Sequence, residues 1–207
     1  MSRTLSPAVL VHALGDRRES RQATLAIRAA AVVFVTLLTA AAAQVSFSIP
    51  FTAIPFTMQP MVVLIAGMAL GPRLGMASQL LYLAAGMSGL PVFAVSATLP
   101  MGAARLLGPS GGYLLSYPFA ALLTGWLASR GFDRRYWTSF MAMAVGLLVI
   151  YSGGVLWLGL LSSAIAGQSA IGLRAALAAG VYPFVIADLL KIAFASGVLP
   201  GLWKLFR

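Results

Sequence analysis

The sequence predicts an all-α membrane protein: a bundle of six transmembrane helices with both termini cytoplasmic and an outward-facing pocket under extracellular loops. Three observations predict it. Of the 207 residues 60% are apolar and only 9% charged, with a mean hydropathy of +0.95, whereas a soluble domain carries about a quarter charged residues. A bilayer crossing takes about 20 residues, so six crossings with short connections use the whole length. The expected organisation is therefore a cytoplasmic tail, 1–22, and one membrane domain, 23–207. The net charge of +10 is also unevenly placed. Arg3, Arg17, Arg18, Arg21 and Arg28 precede or open the first apolar run. Arg73 lies in the second turn between spans, Arg130, Arg134 and Arg135 lie in the fourth, and Lys204 and Arg207 close the chain. The positive-inside rule assigns all of these to the cytoplasm, leaving only Arg105 and Arg174 outside and Lys191 within the membrane. This placement argues for the lipid bilayer as partner and against nucleic acid. The absence of cysteine excludes disulfides and thiol chemistry.

The elements follow in order. Span 1, 24–45, ends in Thr39-Ala40-Ala41-Ala42-Ala43-Gln44, which resembles a signal-peptidase site. The run exceeds the 7–15 residues of a signal h-region and follows a long basic lead, so it reads as a retained span. Ala26/Ala30, Thr36/Ala40 and Thr39/Ala43 are spaced four apart. Such small-residue faces let helices approach closely, either within the bundle or in docking another membrane subunit. The uncharged stretch 46–58, with Pro50 and Pro55, reads as an extended outer loop. Span 2 opens at Thr57-Met58-Gln59-Pro60, with Thr57 suited to cap and Pro60 to the first turn, and stops at Gly71-Pro72. Span 3, 74–87, is equally short. Paired short segments leave a recess that marks a binding site in transporter-like bundles. Gln79 and Tyr82, three apart, share a face that either lines a pocket or bonds another helix.

The connection 86–110 is too irregular for a span and reads as a lid or binding loop. It carries Phe93 and Arg105, then Gly108-Pro109-Ser110-Gly111-Gly112-Tyr113. Ser110, Gly111 and Gly112 lead into span 4, 113–129. Its outward N-terminus offers free N–H groups and the positive dipole end to an anion or a urea-like carbonyl; a simple chain reversal is the alternative. Arg130 to Trp137 reads as a cytoplasmic turn anchored at the headgroups. Span 5 covers 137–161 and contains Trp157. The stretch 162–180, with Arg174, reads as a second, solvated outer loop.

Span 6 carries the unusual chemistry. Tyr182-Pro183-Phe184-Val185-Ile186-Ala187-Asp188-Leu189-Leu190-Lys191 sets a carboxylate and an ammonium in the apolar run from Val181 toward Leu205. Each charge at a membrane-helix centre costs about 2.5–3.5 kcal/mol, and i,i+3 spacing puts both on one face. With Pro183 in the first turn, Asp188 is expected about one and a half turns in. The pair reads as the floor of a ligand pocket, the alternative being an ion pair that only ties span 6 to its neighbours. His12, the only histidine, lies in the tail, and no cluster has metal-ligand spacing. No acid–base pair faces a nucleophile, so no enzyme activity and no cofactor are expected.

Four segments together resemble the BioY family, the biotin-recognising S components of energy-coupling-factor (ECF) vitamin transporters. They are Gln44 with Ile54-Pro55-Phe56-Thr57-Met58-Gln59; Gly71-Pro72-Arg73-Leu74-Gly75 through Gln79-Leu80-Leu81-Tyr82 to Gly89-Leu90-Pro91-Val92-Phe93; Gly108-Pro109-Ser110-Gly111-Gly112-Tyr113-Leu114; and Asp188-Leu189-Leu190-Lys191. Ser110 stands where the family signature has threonine, and Thr98-Leu99-Pro100 replaces a Gly-rich stretch. The resemblance implies high-affinity capture of biotin at the outer face of a bacterial or archaeal cell membrane. Import would be powered by a membrane coupling subunit and paired ABC-type ATPases, and the small-residue face of span 1 (Ala26, Ala30, Thr36, Ala40, Ala43) would dock them. Lys191 or Arg105 would meet the biotin carboxylate, and Asp188 would accept from a ureido N–H or hold Lys191 in place when the site is empty. The Ser110–Gly112 backbone with Gln79 or Tyr82 would complete the polar set, and Phe93 and Trp157 would form the apolar wall. Other readings are an S component for another small vitamin or organic anion, a membrane assembly protein, or an intramembrane enzyme, which lacks catalytic groups.

Overall fold

The computed structural model describes residues 21–49, 52–96, 100–167 and 169–205. The tail through residue 20, including His12, and Pro50, Thr98, Leu99 and Arg207 lie outside the described residues. Helix α1 is Arg21–Gln44. A two-residue antiparallel ribbon, β1 (Ser46–Phe47) with β2 (Phe56–Thr57), pairs Ser46 with Thr57 and Phe47 with Phe56. Then come α2 (Gln59–Leu70), α3 (Pro72–Met87), the short α4 (Ala104–Leu107) and α5 (Gly111–Ala128). Helix α6 (Tyr136–Leu156) runs through one π-helical turn, Trp157–Leu161, into α7 (Ser162–Ala166). The chain closes with α8 (Leu173–Gly180), α9 (Val185–Ala195) and α10 (Val198–Leu205).

Among the described residues, three helical stretches are long and apolar enough to cross a membrane: Arg21–Gln44, Tyr136–Ala166 and Val185–Lys204. Helices α2 and α3, with 12 and 16 residues, are about 18 and 24 Å long and thus shorter than the roughly 30 Å hydrocarbon core. Large apolar side chains stand on the outside, such as Phe34, Leu148 and Phe194 at 64, 63 and 79% exposure. A surface this apolar suits lipid rather than water.

Helix α5 is the hub, packed against α2, α3 and α6. Small residues permit it. A Cβ on Gly67 would fall 2.2 Å from Thr124 Oγ1 and 2.4 Å from Ala121 O, and one on Gly125 would fall 2.5 Å from Gly71 C. In lipid, helices associate by such close packing and by polar contacts rather than by escaping water. A polar seam joins α1 to α3: Thr36 Oγ1 lies 2.9 Å from Ser78 O, and Gln79 Nε2 donates to Thr39 Oγ1 at 3.3 Å.

Several expectations change. The stretch 162–180 is not a solvated loop: α7 and α8 occupy it, and α8 packs on α6 with Ala176 and Gly180 buried. The alanine-rich sequence favours helix, and Arg174 is exposed as expected. Span 6 breaks between α9 and α10 at Ser196-Gly197. Pro183 lies in the turn before α9, so Asp188 falls in the first turn of that helix. Met58, not Thr57, occupies the N-cap of α2, while Thr57 Oγ1 accepts from Gln59 N at 3.3 Å. The small-residue face of α1 divides: Ala26 and Ala30 are exposed and Ala40 half-buried, whereas Thr36, Thr39 and Ala43 pack inside the protein's own bundle.

At the end that carries the basic turn, Asp133 is turned inward and accepts from Trp203 Nε1 at 2.6 Å. The Arg134 guanidinium stacks 3.6 Å from the Trp203 ring centre, tying α10 to the α5–α6 turn. Burial pushes the Asp133 carboxyl up, while Trp203 and Arg134 pull it partly back.

Candidate ligand-binding site

A cavity with an empty volume of about 590 Å³, mouth included, opens between the β1–β2 ribbon, the connection after α3, and helices α2, α5, α6, α8 and α9. Its lining is mostly apolar and aromatic, with Ile54, Pro55, Phe93, Leu114, Ile150 and Phe184. Its polar groups are Thr57, Gln59, Arg105, Ser110, Tyr113, Tyr117, Tyr151, Asp188 and Lys191.

The charged pair sits in the first turns of α9. Lys191 Nζ donates to Asp188 Oδ1 at 2.7 Å. It also donates to Thr57 O at 2.6 Å and lies 3.5 Å from the centre of the Phe56 ring, clamping the ribbon to α9. Tyr151 of α6 donates from its hydroxyl to Asp188 Oδ2 at 2.7 Å. Asp188 is only 4% exposed, yet both of its oxygens meet donors, the condition under which a buried carboxylate persists. The two charges cancel, and what the pair offers a ligand is the remaining acceptor capacity of Asp188.

Arg105, from α4, is 3% exposed and donates to Ala94 O and Pro100 O. No carboxylate lies within ion-pair reach of it among the described residues. Burial pulls its guanidinium below the usual arginine range, with the Tyr82 hydroxyl acting in the opposite direction. Ser110, the N-cap residue of α5, has a buried hydroxyl with no hydrogen-bond partner. A buried polar atom left unpaired costs about 1–3 kcal/mol, so its retention at a cavity wall points to a ligand.

Of the residues singled out from the sequence, the structure brings Asp188, Lys191, Arg105, Ser110 and Phe93 to the cavity. Gln79, Tyr82, Gly111, Gly112 and Trp157 stand behind it. Gln79 faces α1 and leaves its Oε1 buried without a partner. The Tyr82 hydroxyl accepts from Gln59 Nε2 at 2.7 Å and donates to Val92 O at 3.1 Å, and its ring meets Phe93 edge-on at 5.5 Å. Gln79 and Tyr82 thus bond other elements rather than open on the cavity. Gly111 and Gly112 supply closeness: a Cβ on either would strike Leu106 O or Trp157. Trp157 donates from Nε1 to Gly108 O at 3.0 Å.

Sequence reasoning did not single out Gln59, Tyr113, Tyr117 or Tyr151. The tyrosines carried a signal, since each puts a polar tip into an apolar helix, and Tyr113 and Tyr117 are four apart on α5. Tyr113 donates to Gly180 O at 3.0 Å, drawing α8 over the cavity.

The profile of the BioY family matches residues 16–207. The chain belongs to the BioY family. The match begins within the stretch read as a tail. Among curated proteins the chain is 40% identical over 164 residues to the "Probable biotin transporter BioY" of Pyrococcus horikoshii, covering 79% of this chain and 88% of that protein. It is 35% identical over 159 residues to the "Biotin transporter BioY" of Thermotoga maritima, covering 76% and 86%. Its fold is similar to the S component for biotin from an ECF-type ABC transporter, known from a crystal structure at 2.1 Å. The TM-score is 0.75 at 23% identity, covering 90% of this chain and 95% of that one. Together with its apolar helices, membership in this family makes the chain a multi-pass membrane protein.

Proposed function

We propose that this chain captures biotin at the outer face of the membrane as the substrate-binding S subunit of an ECF-type uptake transporter. The observation that carries the reading is the division of charge in the cavity: a neutralised Asp188–Lys191 pair, and a buried Arg105 without an acidic partner. Biotin has matching parts, namely a ureido group with two N–H donors and a carbonyl, an apolar thioether ring and a carboxylate tail. A ureido N–H bonds Asp188. The carboxylate goes to Arg105 and the Ser110 hydroxyl, because charge-assisted bonds are the strong ones. Lys191, the other cation offered by the sequence, already holds Asp188 and the Thr57 carbonyl. Phe93, Ile54, Phe184 and Tyr117 enclose the ring, while Gln79, Tyr82, Gly111, Gly112 and Trp157 support the wall from behind.

In this reading six segments cross the membrane, α1, α2, α3, α5, α6 and the α9–α10 pair, with both termini cytoplasmic in a bacterial or archaeal cell membrane. The chain binds and does not turn over substrate. Transport is powered by a membrane coupling subunit and paired ABC-type ATPases, which meet α1 along Ala26, Ala30 and the exposed edge of Ala40. The test is native mass spectrometry of protein purified from biotin-supplied cells, followed by calorimetric titration after the ligand is removed. Retained biotin and a saturable heat are expected. A chain that neither carries nor binds biotin refutes the proposal.

A further inference from the structure

The end of the cavity that holds Arg105 and Ser110 is suspended from one indole. Backbone bonds run through it in succession: Arg105 N to Gly102 O at 3.1 Å, Gly108 N to Arg105 O at 3.2 Å, and Gly111 N to Gly108 O at 2.9 Å. The Gly108 carbonyl is therefore the joint between α4, which carries Arg105, and the N-cap of α5, which carries Ser110. That carbonyl also accepts from Trp157 Nε1 at 3.0 Å. Trp157 opens the π-helical turn that continues α6, an irregularity frequent at functional sites.

The packing is as tight as the hydrogen bonding. A Cβ on Gly112 would lie 2.2 Å from the Trp157 Cβ, and one on Gly111 would lie 3.2 Å from its ring and 1.8 Å from Leu106 O. So α4 rests directly on the first turn of α5, with the indole behind both. Trp157 is 5% exposed and does not line the cavity, so a bound ligand does not touch it.

We infer that Trp157 is a positioning residue for the ligand's carboxylate: its indole N–H fixes the Gly108 carbonyl, and with it the separation of the Arg105 guanidinium from the Ser110 hydroxyl. This rests on the proposed biotin-binding reading and adds what sets selectivity for a charged tail over an uncharged one. Two groups that converge on one small anion tolerate little misplacement, and both hang on the same joint. The Asp188 end, built from α6 and α9, does not depend on it.

The test compares biotin with its uncharged carboxamide on the full chain in lipid nanodiscs at pH 8. Trp157→Phe keeps aromatic bulk and loses the N–H. Biotin affinity should fall about tenfold with the amide little changed, so that the preference for the acid collapses. Trp157→His loses the benzo ring but sets its Nε2–H as far from Cβ as the indole N–H, and it should keep the acid/amide ratio within about threefold of wild type. Equal losses for both ligands in the Phe variant, or a ratio kept by Phe and lost by His, overturn the inference, because bulk and not the N–H would then matter. If the Phe variant does not fold, the His variant decides: a kept ratio supports the inference and a collapsed one overturns it. A wild-type chain that binds neither ligand refutes the function itself, a result seen before any substitution is made.

Discussion

Replacing Lys191 by Ala tests the floor of the cavity most directly. The change removes the bond to Asp188 Oδ1 at 2.7 Å, the bond to Thr57 O at 2.6 Å and the cation above Phe56. Asp188, 4% exposed, keeps only Tyr151. Leaving one member of a buried pair uncompensated costs about 3–5 kcal/mol of stability. Without Lys191 the Asp188 carboxylate is no longer held in place to accept from ligand N–H groups. A hydrogen bond to a charged group is worth about 1.5–3 kcal/mol, which at 1.4 kcal/mol per decade raises the Kd for biotin at least tenfold and up to about a hundredfold. The assay is calorimetric titration in nanodiscs beside thermal unfolding of the same samples. The double variant Asp188→Asn/Lys191→Met removes both charges and should recover stability relative to Lys191→Ala without recovering affinity. Unchanged affinity in Lys191→Ala, or a double variant that binds like wild type, refutes the assignment and leaves an ion pair that only ties helices together.

Arg105→Gln should weaken biotin by about ten- to a hundredfold and leave biotin carboxamide nearly unaffected; equal effects on the two ligands would move the carboxylate elsewhere. Ser110→Ala removes a buried, unpartnered hydroxyl, so the ligand-free protein should unfold at the same or a higher temperature while biotin binds several-fold more weakly, a split that differential scanning with and without biotin reads directly. Gly67→Ala drives a Cβ to 2.2 Å from Thr124 Oγ1 and 2.4 Å from the Ala121 carbonyl, and overpacking at such a backbone contact should cost about 1–3 kcal/mol in an unfolding titration. Because burial raises Asp133, its protonated form is favoured in the folded state, so its contribution to stability is full below the unfolded carboxyl pKa and is lost as pH rises through the folded one. Thermal unfolding should show wild type gaining on Asp133→Asn as pH falls from 7 toward 4, and a constant gap between the two would contradict the sign.

The parts of the site legible in the sequence were those whose cost is local. Asp188 and Lys191 stood out because a charge in an apolar run is expensive wherever the helix ends up, and i,i+3 spacing pairs them without reference to any other element. Arg105 was visible as the one charge in the outer connection 86–110, and Ser110 as the hydroxyl among the glycines that open α5. The roles of Gln79, Tyr82 and Trp157 were not legible, since whether a polar tip faces a cavity or a neighbouring backbone depends on which helix lies across from it. Gln79 turns to Thr39, Tyr82 to Gln59 and Val92, and Trp157 to Gly108, partners 40, 23, 10 and 49 residues away. Tyr151 was missed for the same reason, because its meaning comes from an acceptor 37 residues further on.

Residence in lipid, the clustering of basic residues at chosen turns, and two opposite charges kept in an apolar helix are all legible from the residues alone. Composition, charge placement and the cost of burying an ion are properties of segments, and they survive whatever the segments pack against. It took the packed chain to show that α8 leans on α6, that the small-residue stripe of α1 is half consumed inside the bundle, and that a ribbon is clamped to α9 over a cavity. Those outcomes follow from which backbones come close enough for glycine, hydroxyl and carbonyl to meet, and closeness between distant segments is set by the packed whole.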